Sequence, residues 1–283
     1  MHAAAPIASP LDPSTRSKAW PWMVGSLGLV AAHFPMLASG FRRIHGDPGD
    51  ARFVAYLLEH SLRWLLRAPG HADFWSPPFF FPARNVAAYS ETMLGVAPLY
   101  WLSRLAPVAP DTAFQIWTLI VSVLNFAAAY ALLRRCLRGG AFPASVGAWV
   151  IAFGAPRVNQ LNHPQLWAVF PSLGALWGLA VLIGPESRSL SPGRARGALA
   201  LCCACSVLQL YASFYVGWFF ALGLLLALAW ALAVPSFRIR LGALLRSHGV
   251  FAAICAGLAA LALVPMLRPY LQAAELVGPR PFT

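Results

Sequence analysis

The sequence predicts an all-α fold, a polytopic transmembrane bundle of about seven spans with interfacial helices in a long first outer loop. Of its 283 residues, 59% are hydrophobic and only 11% are charged, whereas about 25% are charged in a soluble domain. Apolar stretches of about 20 residues recur from Trp20 onward, the length that lets a helix cross about 30 Å of hydrocarbon. The predicted spans cover residues 20–41, 112–133, 142–155, 166–184, 197–212, 214–234 and 249–267.

The first span is predicted to be an uncleaved anchor that follows a cytoplasmic segment, 1–19. Ala38-Ser39-Gly40 resembles a signal-peptide cleavage site, but the apolar run before it is longer than a usual signal core. Further along, residues 197–233 contain no charged residue. At 1.5 Å per residue that run would be about 55 Å long, which suits two spans and predicts a turn near 211–213.

The distribution of arginines tests this layout. The cytoplasmic side would hold eleven basic residues with only Asp12 and Glu186, while the outer side would hold ten basic and seven acidic residues. This is the asymmetry of the positive-inside rule, so the net charge of +12 is mainly a topology signal and no nucleic-acid partner is expected. This assignment of sides requires that residues 93–108 do not cross the membrane, which predicts an interfacial or re-entrant helix there.

Residues 42–111 form the predicted outer loop, which is long enough to suggest a functional segment. Apolar residues recur at helical spacing from 50 to 67, with Glu59 and Arg63 as an i,i+4 ion pair. We therefore expect an amphipathic helix along the membrane surface.

Two carboxylates, Asp47 and Asp50, stand in a turn sequence just before this helix. They could be structural, with Asp50 as the N-cap and Asp47 in the turn. Alternatively, one of them could act as a general base toward an acceptor hydroxyl, or as a ligand of a divalent metal such as Mg or Mn. The spacing alone leaves both alternatives open.

Aromatic residues and prolines follow at 74–82, including Trp75. This run is either an interfacial aromatic belt or the wall of a lipid or sugar pocket, and the two are compatible. Next come Tyr89, then Ser90 as a candidate helix cap, then Glu91, expected in the first turn of the re-entrant helix.

A second polar cluster occupies 157–165, at the predicted outer end of the third span. It contains Arg157, Asn159, Asn162 and His163. An arginine at this place could bind a lipid phosphate, or the cluster could be a hydrated connection between helices. The layout puts it on the same side of the membrane as Asp47 and Asp50.

The order of these motifs resembles bacterial YfhO-like multispanning proteins: an anchor helix, 46–50, an amphipathic helix, 79–82 with 88–91, an arginine pair after a span, and His163-Pro164-Gln165. That group is similar to type C (GT-C) glycosyltransferases, among them lipid A aminoarabinose transferases and protein O-mannosyltransferases. The similarity runs from about residue 20 to the end. Such proteins usually continue with more spans, so the segment 269–283 is expected to be truncated.

The resemblance implies a sugar transferase that takes its donor from a polyprenyl-phosphate carrier at the outer face of the bacterial inner membrane. Its acidic position would fall on Asp50 or Asp47, with Glu91 as a further acidic candidate. Arg157 and His163 would lie near the donor phosphate, and the other expected substrate-binding residues are Asn159, Asn162, Tyr89 and Trp75. The expected partners are membrane lipid and the lipid-linked sugar; the sequence leaves the oligomeric state open.

The alternative is a non-enzymatic transporter or an assembly factor for cell-surface polymers, or an inactive relative. Transport predicts ionisable residues inside the spans. His33 is the clear candidate, and a single histidine there is more often packed or hydrogen-bonded.

Overall fold

The computed structural model describes residues 13–44, 48–137, 140–184 and 190–278, so Asp47, Asp12 and Glu186 lie outside it. Within these ranges the regular structure is helical. The α-helices are α1 Pro13–Ala38, α2 Pro48–Leu65, α3 Ala97–Arg104, α4 Pro110–Leu137, α5 Ala141–Phe153, α6 Ala155–Asn159, α7 Phe170–Ile183, α8 Pro192–Ala212, α9 Phe214–Ala233 and α10 Pro235–Val277. Short 3-10 turns cover Val86–Tyr89, Gln160–Asn162 and Pro164–Leu166.

Helices α1, α4, α5 and α7–α10 pack as a bundle with two chemically different ends. At the end we call the loop end, residues 48–109 and 154–169 pack over the ends of the long helices. The Gln115 amide, for example, donates to the Phe41 carbonyl at 2.9 Å, and the Tyr270 hydroxyl donates to the Ser90 carbonyl at 2.5 Å. At the opposite end, Arg240 of α10 donates to the carbonyl of Ile183, the last residue of α7, at 2.9 Å.

Six helices in the described ranges are long and apolar enough to cross a membrane: Lys18–Ala38, Pro110–Cys136, Pro164–Ile183, Pro192–Ala212, Phe214–Ala233 and Pro235–Leu276. The predicted break in the uncharged run is confirmed at Ser213, between α8 and α9. The remaining predicted span, 142–155, corresponds to α5. With 13 residues, α5 is about 20 Å long, so a seventh crossing stays a prediction.

Helix α1 is kinked at His33, whose φ of −114° and ψ of 17° are not helical. Pro35 follows two residues later and lacks the N–H that would continue the helical ladder. The His33 ring is fully buried, and its Nε2 lies 2.8 Å from the Ser122 hydroxyl of α4. The expectation that this histidine is packed and hydrogen-bonded is therefore confirmed.

The segment before α7 is held by two amides that reach it from neighbouring helices. Asn125 of α4 donates to the Trp167 carbonyl at 2.8 Å and accepts from the Val169 and Phe170 N–H groups at 3.0 and 2.9 Å. Gln209 of α8 donates to the Ala168 carbonyl at 3.0 Å. Both amides are buried. They satisfy backbone groups that would be costly to leave unpaired in an apolar core. They thereby hold the end of segment 160–169 against α4 and α8.

The predicted amphipathic helix is present as α2, but Asp50 is not its N-cap. That α2 lies along the membrane surface stays a prediction. The helix begins at Pro48, so Asp50 lies in its first turn, where the helix dipole favours a negative charge. The predicted helix over 93–108 is shorter than expected. Only Ala97–Arg104 is α-helical, about 12 Å, so Glu91 is not in its first turn; whether this segment lies in the interface stays a prediction.

Charge is divided unequally between the two ends. All six described carboxylates lie at the loop end: Asp50, Glu59, Asp73, Glu91, Asp111 and Glu275. The opposite end, which we call the arginine end, carries Lys18, Arg134, Arg135, Arg194, Arg196, Arg238, Arg240 and Arg246. Among described residues, then, the arginine end bears basic side chains without an acidic one.

Candidate active site at the loop end

The centre of the candidate site is the carboxylate of Asp50. Its Oδ2 lies 2.6 Å from Nδ1 of His163 and accepts a hydrogen bond from the Gln165 amide at 2.9 Å. These hydrogen bonds, from Gln165 and then from His163, hold the pKa of Asp50 below its ordinary value because they favour the charged form. At neutral pH Asp50 is therefore an anion, with 37% of its side chain exposed.

The Asp50–His163 contact fixes the roles of the two imidazole nitrogens. An ionised carboxylate can only accept, so the Nδ1–H group of His163 is the donor. In the neutral ring, Nε2 then carries the lone pair. Since the His163 side chain is 53% exposed, this lone pair is available to an incoming group. This is the arrangement of a general base whose ring is oriented by a carboxylate.

Arg157 lies in α6, in the same segment as His163. Its Nη1 donates to the Leu166 carbonyl at 3.0 Å, and burial lowers the pKa of the guanidinium, although an arginine remains charged at any physiological pH. Three buried polar atoms of this segment have no hydrogen-bond partner among described residues: Nε of Arg157, Oε1 of Gln160 and Oε1 of Gln165. Each of these atoms can still take part in a further hydrogen bond.

The position of α2, and so of Asp50, depends on a second carboxylate. Glu59 accepts from Arg63 at 3.0 Å, as the sequence predicts, and also from Tyr100 at 2.8 Å and Arg104 at 3.1 Å of α3. Burial acts to raise the pKa of Glu59, but these three donors together hold it below its ordinary value. The network ties α2 to α3.

Glu91 is placed elsewhere, at the beginning of α9. Its carboxylate accepts from the Tyr215 N–H at 3.1 Å, from the Ser213 hydroxyl at 3.3 Å and from the Phe214 N–H. Only 1% of the residue is exposed, and burial raises the pKa of Glu91 against the opposing effect of those donors. These contacts cap a helix, so the structure gives Glu91 a supporting role apart from Asp50.

The remaining predicted residues divide between two regions. Asn159 and Asn162 are exposed beside Arg157 and His163. Trp75 and Tyr89 belong to the region near Glu91. The Trp75 ring packs edge-on against Tyr270 of α10 at 6.0 Å, while Tyr89 is 45% exposed. The structure thus brings Asp50 together with 157–165 but not with Glu91, Trp75 or Tyr89.

The predicted divalent metal has no assembled ligand set in the described part of the chain. Within those ranges no three His, Cys, Asp or Glu side chains form a group that could hold an ion. Asp50 has His163 as its neighbour, and the other carboxylate candidate, Asp47, lies outside the described residues. The metal therefore stays a prediction.

Gln165 is the site residue that sequence reasoning missed. It stands in the polar cluster 157–165, but nothing in the sequence distinguishes it from the other amides there. A glutamine two residues after a histidine reaches the same carboxylate here because the Pro164–Leu166 turn brings both side chains to α2.

The histidine pair His60 and His71 holds the loop that follows α2, residues 66–76, against that helix. Their Nδ1 atoms are 2.7 Å apart, and Nε2 of His60 donates to the Phe74 carbonyl at 3.0 Å. When His60 is neutral, its Nδ1 accepts a hydrogen bond from the Nδ1–H group of His71. Glu59, Asp73 and Arg63 are the charged groups nearby. Burial lowers the pKa of both histidines below 6.5.

We predict that this loop loosens in mild acid. The unfolded chain, with the higher pKa, takes up protons first, so the contribution of the pair is complete above pH 6.5 and is lost as the pH falls through the lowered folded-state values. Amide exchange of residues 66–76, corrected for intrinsic rates, should quicken between about pH 7.5 and about pH 5. Residues 192–212 contain no histidine and provide the internal control. A His71→Asn variant should flatten the response; an unchanged response in that variant would contradict the assignment.

Fold and site together define an all-helical multi-pass membrane protein with a carboxylate–imidazole pair at one end of its bundle. Comparisons with protein-family models, with curated proteins and with solved structures give no match to this chain. The resemblance seen in the sequence therefore supports a proposal and does not assign a family.

Proposed function

We propose that the chain is a glycosyltransferase-like membrane protein that transfers a sugar from a polyprenyl-phosphate carrier to an acceptor at the outer face of a bacterial inner membrane. The observation that supports this most is the Asp50–His163 pair. It joins residues 113 positions apart at the loop end of the bundle, in a segment that also carries the half-buried Arg157. A lipid-linked donor would be presented at the same level of the membrane.

In the proposed reaction His163 is the general base and Asp50 its orienting partner. The acceptor hydroxyl gives its proton to Nε2 of His163 while its oxygen attacks the anomeric carbon of the donor sugar. The bond from that carbon to the phosphate oxygen breaks, and the bonding electrons leave with the polyprenyl phosphate. In this proposal Arg157, from the same segment as His163, is the cation that binds that phosphate. Asp50, being anionic, stabilises the imidazolium that forms.

Turnover by the purified protein in lipid nanodiscs tests the proposal. Radiolabelled polyprenyl-phosphate sugars are offered with a panel of hydroxyl acceptors, including water, and both retained donor and released polyprenyl phosphate are measured. Binding followed by acceptor-dependent release supports the transferase. Failure to bind any lipid-linked sugar would overturn it and favour the transporter or assembly alternative.

The orientation of the proposed transferase can be checked with a native cysteine. Cys136 is exposed near Arg134 and Arg135 at the arginine end, while Ala72 is exposed at the loop end. With a cytoplasmic N-terminus, a membrane-impermeant maleimide should label an Ala72→Cys variant in intact cells. Cys136 should react only after permeabilisation, and a Cys136→Ser variant identifies its signal. The reverse pattern would place the candidate site in the cytoplasm.

A further inference from the structure

A polar cleft lies at the arginine end, remote from Asp50 and independent of the proposed transfer. It has a volume of about 470 Å³ and opens between the end of α7, the beginning of α8 and the first turns of α10. Its polar lining comes from Ser236, Arg240, Ser247 and His248 of α10. Leu182, Leu190 and Leu244 are among the apolar residues that form the rest of its wall.

Two cleft side chains retain hydrogen-bonding capacity. Arg240 uses Nη1 to donate to the Ile183 carbonyl, but a guanidinium has five N–H donors. Nδ1 of His248 is buried without a hydrogen-bond partner among described residues. With two serine hydroxyls on the same wall, the cleft offers donors suited to an oxyanion.

The charge around the cleft points to the same ligand. The described residues of the arginine end include eight basic side chains and no carboxylate. Arg194 lines an adjoining cleft, and Leu190 lies on the wall of both. Cationic side chains attract anions, and basic pockets between membrane helices can bind the head groups of acidic lipids.

We propose that this cleft binds the phosphate head group of an anionic phospholipid. Arg240, Ser247 and His248 contact the phosphate, and the leucine wall contacts the first methylenes of the acyl chains. A ligand that is anionic at one end and apolar at the other matches both parts of the lining. A free phosphate ion would match the polar part alone.

Lipid retention by the intact chain, measured by native mass spectrometry, tests the assignment. Phosphatidylglycerol is titrated against phosphatidylcholine with the same acyl chains, and we expect the anionic lipid to bind at least about five times more tightly. Arg240→Gln should weaken its binding about five- to tenfold. The matched control is Arg246→Gln, which removes the same charge from an exposed position of α10 that does not line the cleft; its effect should be less than about twofold.

A second variant and a competitor distinguish binding in the cleft from general attraction to the basic surface. Because Arg240 also bonds the end of α7, His248→Ala provides a variant that leaves that bond intact and should still weaken binding about two- to fivefold. Equal retention of both lipids, or equal losses in Arg240→Gln and Arg246→Gln, would show diffuse attraction and overturn the proposal. Displacement of the lipid by millimolar inorganic phosphate would also overturn it, since that outcome makes the apolar wall irrelevant.

Discussion

Replacing Asp50 with asparagine is expected to lower sugar transfer about a hundredfold or more while the protein remains folded and inserted. The asparagine keeps the shape of the side chain but removes the charge that Nδ1–H of His163 contacts at 2.6 Å. Without an obligate acceptor the imidazole loses its preferred tautomer and the imidazolium loses its counter-charge. Loss of general-base catalysis costs about 10² to 10⁴ in rate. The measurement is single-turnover release of polyprenyl phosphate from bound donor.

The chain offers a matched control for this experiment in Asp111. Asp111 also stands in the first turn of a helix at the loop end, α4, and is exposed. Asp111→Asn should leave transfer within about twofold, because its charge lies at a helix N-terminus where it contributes only stability. If Asp50 were merely structural, Asp50→Asn would behave like the control: a stability loss of about 0.3–1 kcal/mol, from the lost charge at the helix N-terminus, and retained activity.

Replacing Asn125 with leucine is expected to lower the free energy of unfolding by about 2–4 kcal/mol. The buried amide makes three hydrogen bonds to the backbone of 167–170. Leucine of similar size would leave a carbonyl and two N–H groups unpaired in an apolar core. Each such group costs about 1–3 kcal/mol, although hydrogen bonds between membrane helices average less. The midpoint of unfolding in mixed micelles containing a denaturing detergent measures the loss.

Ser145→Ala provides the comparison for Asn125. Ser145 is buried to the same extent, but its hydroxyl donates to the Ala141 carbonyl of its own helix at 2.7 Å. The Ala141 carbonyl also accepts a backbone hydrogen bond within its helix, so Ser145→Ala should lower the free energy of unfolding by less than about 1 kcal/mol. Asn125→Leu should also impair transfer, since Asn125 holds residues 167–170, which directly follow the segment that carries His163. A stable Asn125→Leu protein would contradict the role assigned to this amide.

Much of the architecture could be predicted because it depends on local pattern. The uncharged run 197–233 is too long for one crossing, and the helix does break at Ser213. The amphipathic spacing after residue 50 produces α2, with the Glu59–Arg63 pair formed. The sequence also predicts that Asp50 and 157–165 lie at the same end of the bundle. Two predicted spans, 112–133 and 142–155, separate them in the chain, and two crossings return the chain to the same side.

Other features could not be predicted, since they depend on which side chains meet across the bundle. Glu91 caps α9, more than 120 residues further along the chain, and no local pattern distinguishes that use from a catalytic carboxylate. The helix after it begins at Ala97 rather than near Glu91, because 91–96 pack against the end of α8, where the Gly95 N–H donates to the Tyr211 carbonyl at 3.0 Å.

The sequence by itself determined that this protein is an all-helical membrane protein with most of its carboxylates on one side and an excess of basic residues on the other. Hydrophobic length and charge asymmetry report directly on the bilayer as a solvent and require no knowledge of contacts. Only the tertiary structure decided that Asp50 meets His163 and Gln165 and that Glu91 does not join them. Hydrogen bonds act over about 3 Å, so they depend on the packing of helices that are distant in the chain.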